Sequence, residues 1–267
     1  MILGESDEIL SIEGTLGSGA YATVYSCRTK SNEAPFAVKV ERPAACLPWE
    51  FYLNLQLGSR IRGFDSCSQV HLIMPKQLNK YPDGCAMVMQ LGNSGTLHDL
   101  AVLHMKNGKL VPEIVVAHYA AEMSRFLRAV HFSDILHCDI KPDNWLIIQR
   151  EHSDAFRDEF IDTNTVSLID FGRAIDLKQF PANQRFVSKS NQAVSGFGCP
   201  QMAANVSWRY ELDLCALAST IHFLLFGKPI NVKKVGSKWK ATKKFRRYWP
   251  VNEWEEVFDL LLNGGCN

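Results

Sequence analysis

The hydrophobic pattern of this 267-residue chain changes period between residues 91 and 95. Ahead of that point, residues 9–16, 23–29, 36–40 and 85–90 are short runs rich in β-branched or aromatic residues, parted by Gly, Ser, Asn and Pro. Such runs predict strands. Beyond it, Val116, Tyr119, Met123, Phe126 and Val130 recur at spacings of 3, 4, 3 and 4, the repeat of one buried helix face. Pro112 and Glu113 stand where a helix start favours them. Residues 145–148 and 166–169 predict two further short strands. The apolar run 214–227, which carries His222, is about six residues short of a membrane span and predicts a buried core helix. Strands first and helices after describe an α+β fold of two lobes, residues 1–91 and 92–267, the first small and β-rich, the second larger and mostly helical.

Composition removes several classes. Apolar residues make up 46% and charged residues 21%, the balance of an ordinary globular domain rather than a disordered or fibrous chain. A chain of this length buries roughly 70–75% of its unfolded surface, so it needs no disulfide or metal for stability. Lysine and arginine number 29 against 28 acidic residues, a net charge of +1, which gives no reason to expect nucleic-acid reading. The eight cysteines never form a C-x-x-C pair; scattered reduced thiols of a cytosolic or nuclear protein are expected. The first residues lack the basic start and apolar stretch of a signal peptide, and no membrane contact is expected.

Gly17-Ser18-Gly19-Ala20-Tyr21-Ala22-Thr23-Val24 lies between two predicted strands. Glycines let a backbone pass close over polyphosphate and aim N–H groups at it, although a plain hairpin turn fits the motif alone equally well. A dinucleotide fingerprint is excluded, because that motif opens a helix. Lys39 ends the apolar run Phe36-Ala37-Val38, twenty residues past Gly19. By itself it is an edge residue reaching solvent or an inward cation for phosphate; the glycine-rich turn ahead of it favours the second. His137-Cys138-Asp139-Ile140-Lys141-Pro142-Asp143-Asn144 follows the amphipathic helix and precedes a strand. Asp139 and Asn144 have the spacing of a loop that carries a base and a metal ligand. Asp170-Phe171-Gly172 closes the next strand. One such element arises easily by chance; four in this order on the expected secondary structure do not.

With these elements the chain resembles a eukaryotic protein kinase over nearly its whole length. Within that family it is similar to the Bub kinases of the mitotic spindle checkpoint, on Pro48-Trp49-Glu50-Phe51-Tyr52, Cys138, an acidic insertion at 149–164, Gly196-Phe197-Gly198-Cys199-Pro200-Gln201-Met202 and the ending that runs from Phe245 to Phe258. The resemblance implies a two-lobed kinase fold using ATP and Mg²⁺. Gly17, Gly19 and Ala22 would roof the phosphates, and Val24, Ala37 and Leu146 would enclose the adenine. The backbones of Gln90 and Gly92, after a gatekeeper-like Met89, would bind its edge. Lys39, fixed by Glu50, would hold the α- and β-phosphates. Asp170 and Asn144 would coordinate Mg²⁺, Asp139 would accept the hydroxyl proton, and Lys141 would steady the γ-phosphate and point to Ser/Thr substrates. His137 and Phe171 would join the hydrophobic spine, and Asp213 would anchor the loop. The implied setting is the nucleus and kinetochore with a cytoplasmic pool. A core histone or checkpoint proteins would be substrates, with further checkpoint partners held by segments outside this chain. The family also has a branch with degraded catalytic motifs, so a pseudokinase scaffold is the competing expectation.

Departures from the kinase pattern are specific. Cys138 replaces the arginine that ordinarily receives an activation-segment phosphate, and Gln201 replaces the glutamate of the Ala-Pro-Glu motif. Ser188, Ser190 and Ser195 lie in that segment, which is expected to be ordered by its own packing through Phe197, Pro200 and Met202. Residues 173–207 show no periodicity. Residues 228–247 carry nine basic residues and no acidic one, a solvated face or a docking surface for an acidic partner.

Overall fold

The computed structural model describes residues 2–3, 8–19, 22–29, 35–42, 47–64, 70–92, 94–149, 164–188 and 197–264. Its first part is a six-stranded antiparallel sheet: β1 (Ile2–Leu3), β2 (Glu8–Ser18), β3 (Ala22–Thr29), β4 (Phe36–Glu41), β5 (Pro75–Tyr81) and β6 (Gly84–Gln90), in the spatial order β1-β2-β3-β4-β6-β5. Tyr81-Pro82-Asp83-Gly84 closes the β5–β6 hairpin, a turn whose Pro, Asp and Gly suit it. Helix α1 (Leu47–Arg60) is inserted between β4 and β5. Strand β4 is central, and its alternation decides where the chemistry goes. Phe36 and Val38 join Leu10, Cys27, Ala86 and Val88 in one apolar cluster. Ala37 and Lys39 therefore face the opposite side of the sheet.

The second part is mostly helical, as expected. Helices α2 (Leu97–Lys106), α3 (Glu113–Phe132), α4 (Pro200–Ala203), α5 (Tyr210–Phe226) and α6 (Val251–Asn263) surround short paired strands. β7 (Ile135–Leu136) pairs with β10 (Ile175–Asp176), β8 (Trp145–Gln149) with β9 (Asn164–Leu168), and β11 (Val232–Val235) with β12 (Lys238–Ala241). Thr96 caps α2 by a reciprocal box with Asp99, satisfying two donors that a helix start leaves open. Thirteen of the seventeen residues of α5 are buried, which is why its sequence is apolar on every side. Its Leu217 and Ile221 share the main apolar cluster with Met123, Phe126 and Trp145. Trp145 is fully buried and meets Phe126 edge-on at 5.7 Å; its truncation to alanine costs about 3–5 kcal/mol.

The core helix begins four residues before its apolar run, at Tyr210. Residues 173–188 and 197–207 are more ordered than their lack of periodicity suggests: Ile175–Asp176 is a strand, and Phe186 bridges Trp208. The basic stretch contains a hairpin, β11–β12, that its lysines conceal. Gln149 and Asn164, the ends of the acidic insertion, close β8 and open β9; residues 150–163 lie outside the described part, as do Ser190 and Ser195. Cys27, Cys199 and Cys215 are buried free thiols. Among the described residues no helix is long and apolar enough to cross a membrane.

Candidate functional site

Strand register gathers the first half of the site. Val24 lies opposite Lys39, Met87 opposite Lys39 from the other side, and Met89 opposite Ala37. Cross-strand partners share a face, so Val24, Ala37, Lys39, Met87 and Met89 form one surface of the sheet. Near the end of β2 Gly17 pairs with Val24 of β3, and Gly19 N–H donates to Ala22 O at 2.9 Å. A Cβ on Gly17 would meet nothing within 4 Å, so the chain's own packing does not demand glycine there. Gly92 is the opposite case: a Cβ would lie 2.0 Å from Leu146 Cδ2. A side chain there would force Leu146 to move, so glycine lets the segment after β6 lie against Leu146 as it stands.

Lys39 Nζ sits 2.7 Å from Glu50 Oε2 and 2.9 Å from Asp170 Oδ1. Burial alone would push the Lys39 ammonium down, but Glu50 and Asp170 outweigh it and hold it above its usual value. Burial would raise Asp170, yet Lys39 wins and keeps the carboxyl below its ordinary range. Glu50 is raised, its burial outweighing the attraction of Lys39. Asp170 keeps 44% of its side chain exposed, so one oxygen is bound inward while the carboxylate remains reachable.

The second half is a loop whose side chains are tied to one another. Lys141 Nζ lies 2.7 Å from Asp139 Oδ2, and Asn144 Nδ2 donates to Asp139 O at 2.8 Å and to Asp139 Oδ2 at 3.3 Å. The Asn144 nitrogen is thus used within the loop, which leaves its amide oxygen as the end available to a cation. Asp213, fully buried on α5, anchors the loop: its oxygens accept the N–H groups of His137 and Cys138 at 2.8 Å each, and His131 Nε2 at 3.0 Å. Burial would raise Asp213, but His131 and His137 hold it low. Asp170 has φ 66°, a left-handed turn uncommon for a residue with a side chain. That turn sends Phe171 into the core, edge-on to His137 at 4.7 Å. Burial lowers the His137 pKa; its Nε2 donates to Ile169 O at 3.1 Å.

Besides the sheet surface of Val24, Ala37, Lys39 and Met89, three closer groups form among the expected residues: Lys39, Glu50 and Asp170; Asp139, Lys141 and Asn144; Gly92 and Leu146. Arg173 Nη1 stands 3.8 Å from Asp139 Oδ1, a neighbour the motifs do not announce. Cys138 is held by burial, and then by Asp213 and Asp139, well above the usual thiol value. It is a neutral thiol and supplies no charge. Arg185 is already bound to Glu211 and Ser207. Phe197 and Met202 pack against the main core, and Phe186 packs against Phe180 and Trp208. Sequence reasoning missed Trp49, Tyr52, Arg60 and Asp176 as a group, although the first two sit in the Bub-like Pro48–Tyr52 segment. Trp49, Tyr52 and Arg60 follow a helical period; their partner lies more than a hundred residues away.

Comparison with known proteins agrees with this arrangement. Residues 10–258 match the family described as protein kinase domain. The chain is 35% identical over 263 residues to the mitotic checkpoint serine/threonine-protein kinase BUB1 of Mus musculus, covering 96% of this chain and 24% of the relative. It is 32% identical to the spindle assembly checkpoint serine/threonine-protein kinase BUB1 of Saccharomyces cerevisiae, covering 98% and 26%. The chain thus spans about a quarter of the length of these relatives. The crystal structure of the BubR1 kinase domain superposes with a TM-score of 0.84 at 29% identity, over 98% of this chain and 75% of that one. The chain therefore belongs to the protein kinase domain family, and within it is similar to the Bub mitotic checkpoint kinases over nearly its whole length.

Proposed function

We propose that this domain is an active Ser/Thr protein kinase, dividing at residues 91/92 into a nucleotide-roofing lobe and a substrate lobe. The observation that carries this reading is the complete charged set: Lys39 between Glu50 and Asp170, beside a loop where Asp139 meets Lys141 and Asn144. Val24, Ala37, Met89 and Leu146 would enclose the adenine, with the Gln90 and Gly92 backbones at its edge and Gly17, Gly19 and Ala22 over the phosphates. Lys39 would orient the α- and β-phosphates. The Asp170 carboxylate and the Asn144 amide oxygen are hard donors that fit Mg²⁺, which takes one or two protein ligands beside phosphate oxygens; when bound, it would neutralise phosphate charge. Asp139 would accept the proton of the substrate hydroxyl, while Lys141 would stabilise the transferring phosphate. Catalysis in such a site is positioning and charge neutralisation.

The substrate reading is a nuclear, kinetochore-associated protein of the checkpoint or a core histone, with a cytoplasmic pool of the enzyme. The β11–β12 hairpin supports an acidic docking segment: Lys233 lies directly opposite Lys240, a like-charge pair that an anionic partner would relieve. The test is transfer of γ-phosphate from MgATP to core histones, with Asp170→Ala as control. Transfer above the control is expected. A scaffold predicts none, even where MgATP raises the melting temperature as a native-state ligand must.

A further inference from the structure

Helix α1 does more than carry Glu50. Trp49, Tyr52, Gln56 and Arg60 follow at spacings of 3, 4 and 4 and share one helix face. Three of them reach the chain that leaves Gly172. Trp49 Nε1 donates to Ala174 O at 2.9 Å, and Tyr52 OH donates to Asp176 Oδ2 at 3.0 Å. Arg60 meets Asp176 fork on fork, Nη1 to Oδ1 at 2.7 Å and Nη2 to Oδ2 at 2.8 Å. The same guanidinium donates to Ser133 O and Gln56 Oε1 at 3.0 Å each. Asp176 is fully buried, and its Oδ1 also accepts Lys178 N–H at 3.1 Å. Each carboxylate oxygen thus accepts two hydrogen bonds, the full capacity of the group. Burial would raise this carboxyl, but the bonds from Arg60, Tyr52 and Lys178 bring it down to about 2.

The position of Asp176 matters as much as its partners. It lies in β10, paired with β7, the strand that runs into His137. A single carboxylate therefore joins the helix bearing Glu50, the segment leaving Asp170 and the strand entering the Asp139 loop. We propose that the Arg60–Asp176 pair is a positioning clamp that holds α1, and through it Glu50 and Lys39, in the assembled arrangement without a phosphate on the activation segment. The effect on catalysis rests on the phosphotransfer reading above; the mechanical part does not. A bidentate pair fixes orientation as well as distance, whereas a lysine offers one point charge and no fork. Cys138 supplies no cation, Arg185 is committed to Glu211, and Arg173 faces Asp139 at 3.8 Å without joining α1 to the segment; in this proposal the clamp does what a phosphate-bound arginine would otherwise do.

The experiment uses Arg60→Lys, which keeps the charge, and the double variant Arg60→Met/Asp176→Leu, which removes the buried pair together, a change that often leaves stability unharmed. Both are compared with the parent, dephosphorylated, by steady-state kinetics and amide hydrogen exchange. Each variant is expected to lose roughly 10–100-fold in kcat, as misplacement remote from the reacting atoms can produce. The KM for the protein substrate is expected to hold, and exchange to quicken in residues 47–60 and 174–179 but not in α5. Parental kcat in either folded variant, or quickened exchange spread over the whole domain, would overturn the clamp. Were the parent to transfer no phosphate, the kinase reading would fall and exchange alone would decide: quickening confined to those two segments supports the clamp, and parental exchange overturns it.

Discussion

The interior site and the β11–β12 face treat charge in opposite ways. Inside, Lys39, Asp170, Asp139, Lys141, Arg60, Asp176 and Asp213 each meet a counter-group or donor within 3.0 Å. From Lys228 to Arg247, through the hairpin and the chain on either side of it, nine basic residues stand without an acidic neighbour in sequence. Lys238 reaches Asp259 at 2.6 Å, while Lys234, Lys243 and Arg246 lie over the rings of Trp239, Phe226 and Trp249. Interior charge is consumed by the fold and sets geometry. Exterior charge is left over, and what is left over is available to a partner.

The largest expected effect lies at the most enclosed chemistry. Asp139→Asn is expected to keep MgATP binding, measured calorimetrically, and to lose roughly 10²–10⁴-fold in transfer, the range for a positioned general base. An unchanged rate would remove Asp139 from the mechanism. Next comes the anchor: Asp213→Ala leaves two backbone N–H groups and His131 without their acceptor. Denaturant unfolding is expected to show a loss of about 3–5 kcal/mol, as when one partner of a buried charge pair is removed. A loss under about 1 kcal/mol, typical of an exposed pair, would place Asp213 with the surface charges.

How far the sequence discloses each region follows from the range of the interactions. Lys39, Asp139, Asn144 and Asp170 are legible because each sits in a local motif on its own strand or loop. The β4 alternation that turns Lys39 inward is legible for the same reason. Asp176 is not: nothing near it announces Arg60, and the two-residue strand carrying it is too short to show a period. The hairpin was hidden because Lys233, Lys234, Lys238 and Lys240 populate both faces, so no apolar alternation remains. Helix α6 had a signal, Trp254, Phe258 and Leu262 at i, i+4 and i+8, all buried. Trp254 and Phe258 fall inside the ending that marks the Bub resemblance, and Leu262 lies one turn beyond it.

Acidity separates the two regions at smaller amplitude. His137 and His222 are lowered by burial, so below the ordinary histidine value the unfolded chain binds protons that the folded chain refuses. Stability is then present above about pH 6.5 and declines as pH falls through that value. Asp176, brought to about 2, contributes stability above its unfolded value near 3.9 that disappears as pH falls towards 2. Urea unfolding between pH 8 and pH 3 is expected to follow these steps, and His222→Gln to diminish the upper one. Neutralising Lys233, Lys234, Lys238 and Lys240 on the hairpin is expected to leave the profile unaltered, since none of them is among the groups that shift His137, His222 or Asp176; a changed upper step would tie the two regions together.

The smallest effect is the exterior one. Replacing Lys243, Lys244, Arg246 and Arg247 by glutamine is expected to raise the KM for a histone or nucleosome substrate and to leave kcat on a short peptide alone, because remote charge steers encounter. Salt is expected to mimic the substitutions, since screening sets in at about 8 Å at physiological strength. Equal KM values for parent and variant would make the basic stretch 228–247 a solvated face.

The central claim is that the interior charges alone assemble a competent kinase, with Cys138 in place of a phosphate-binding arginine. The direct measurement is the initial rate of γ-phosphate transfer to core histones by protein stripped of phosphate and verified by intact mass, taken before autophosphorylation accumulates. The account predicts a rate from the first time points that phosphate on Ser188, Ser190 or Ser195 does not raise. A silent protein that gains activity in step with phosphate on one of those serines would contradict it.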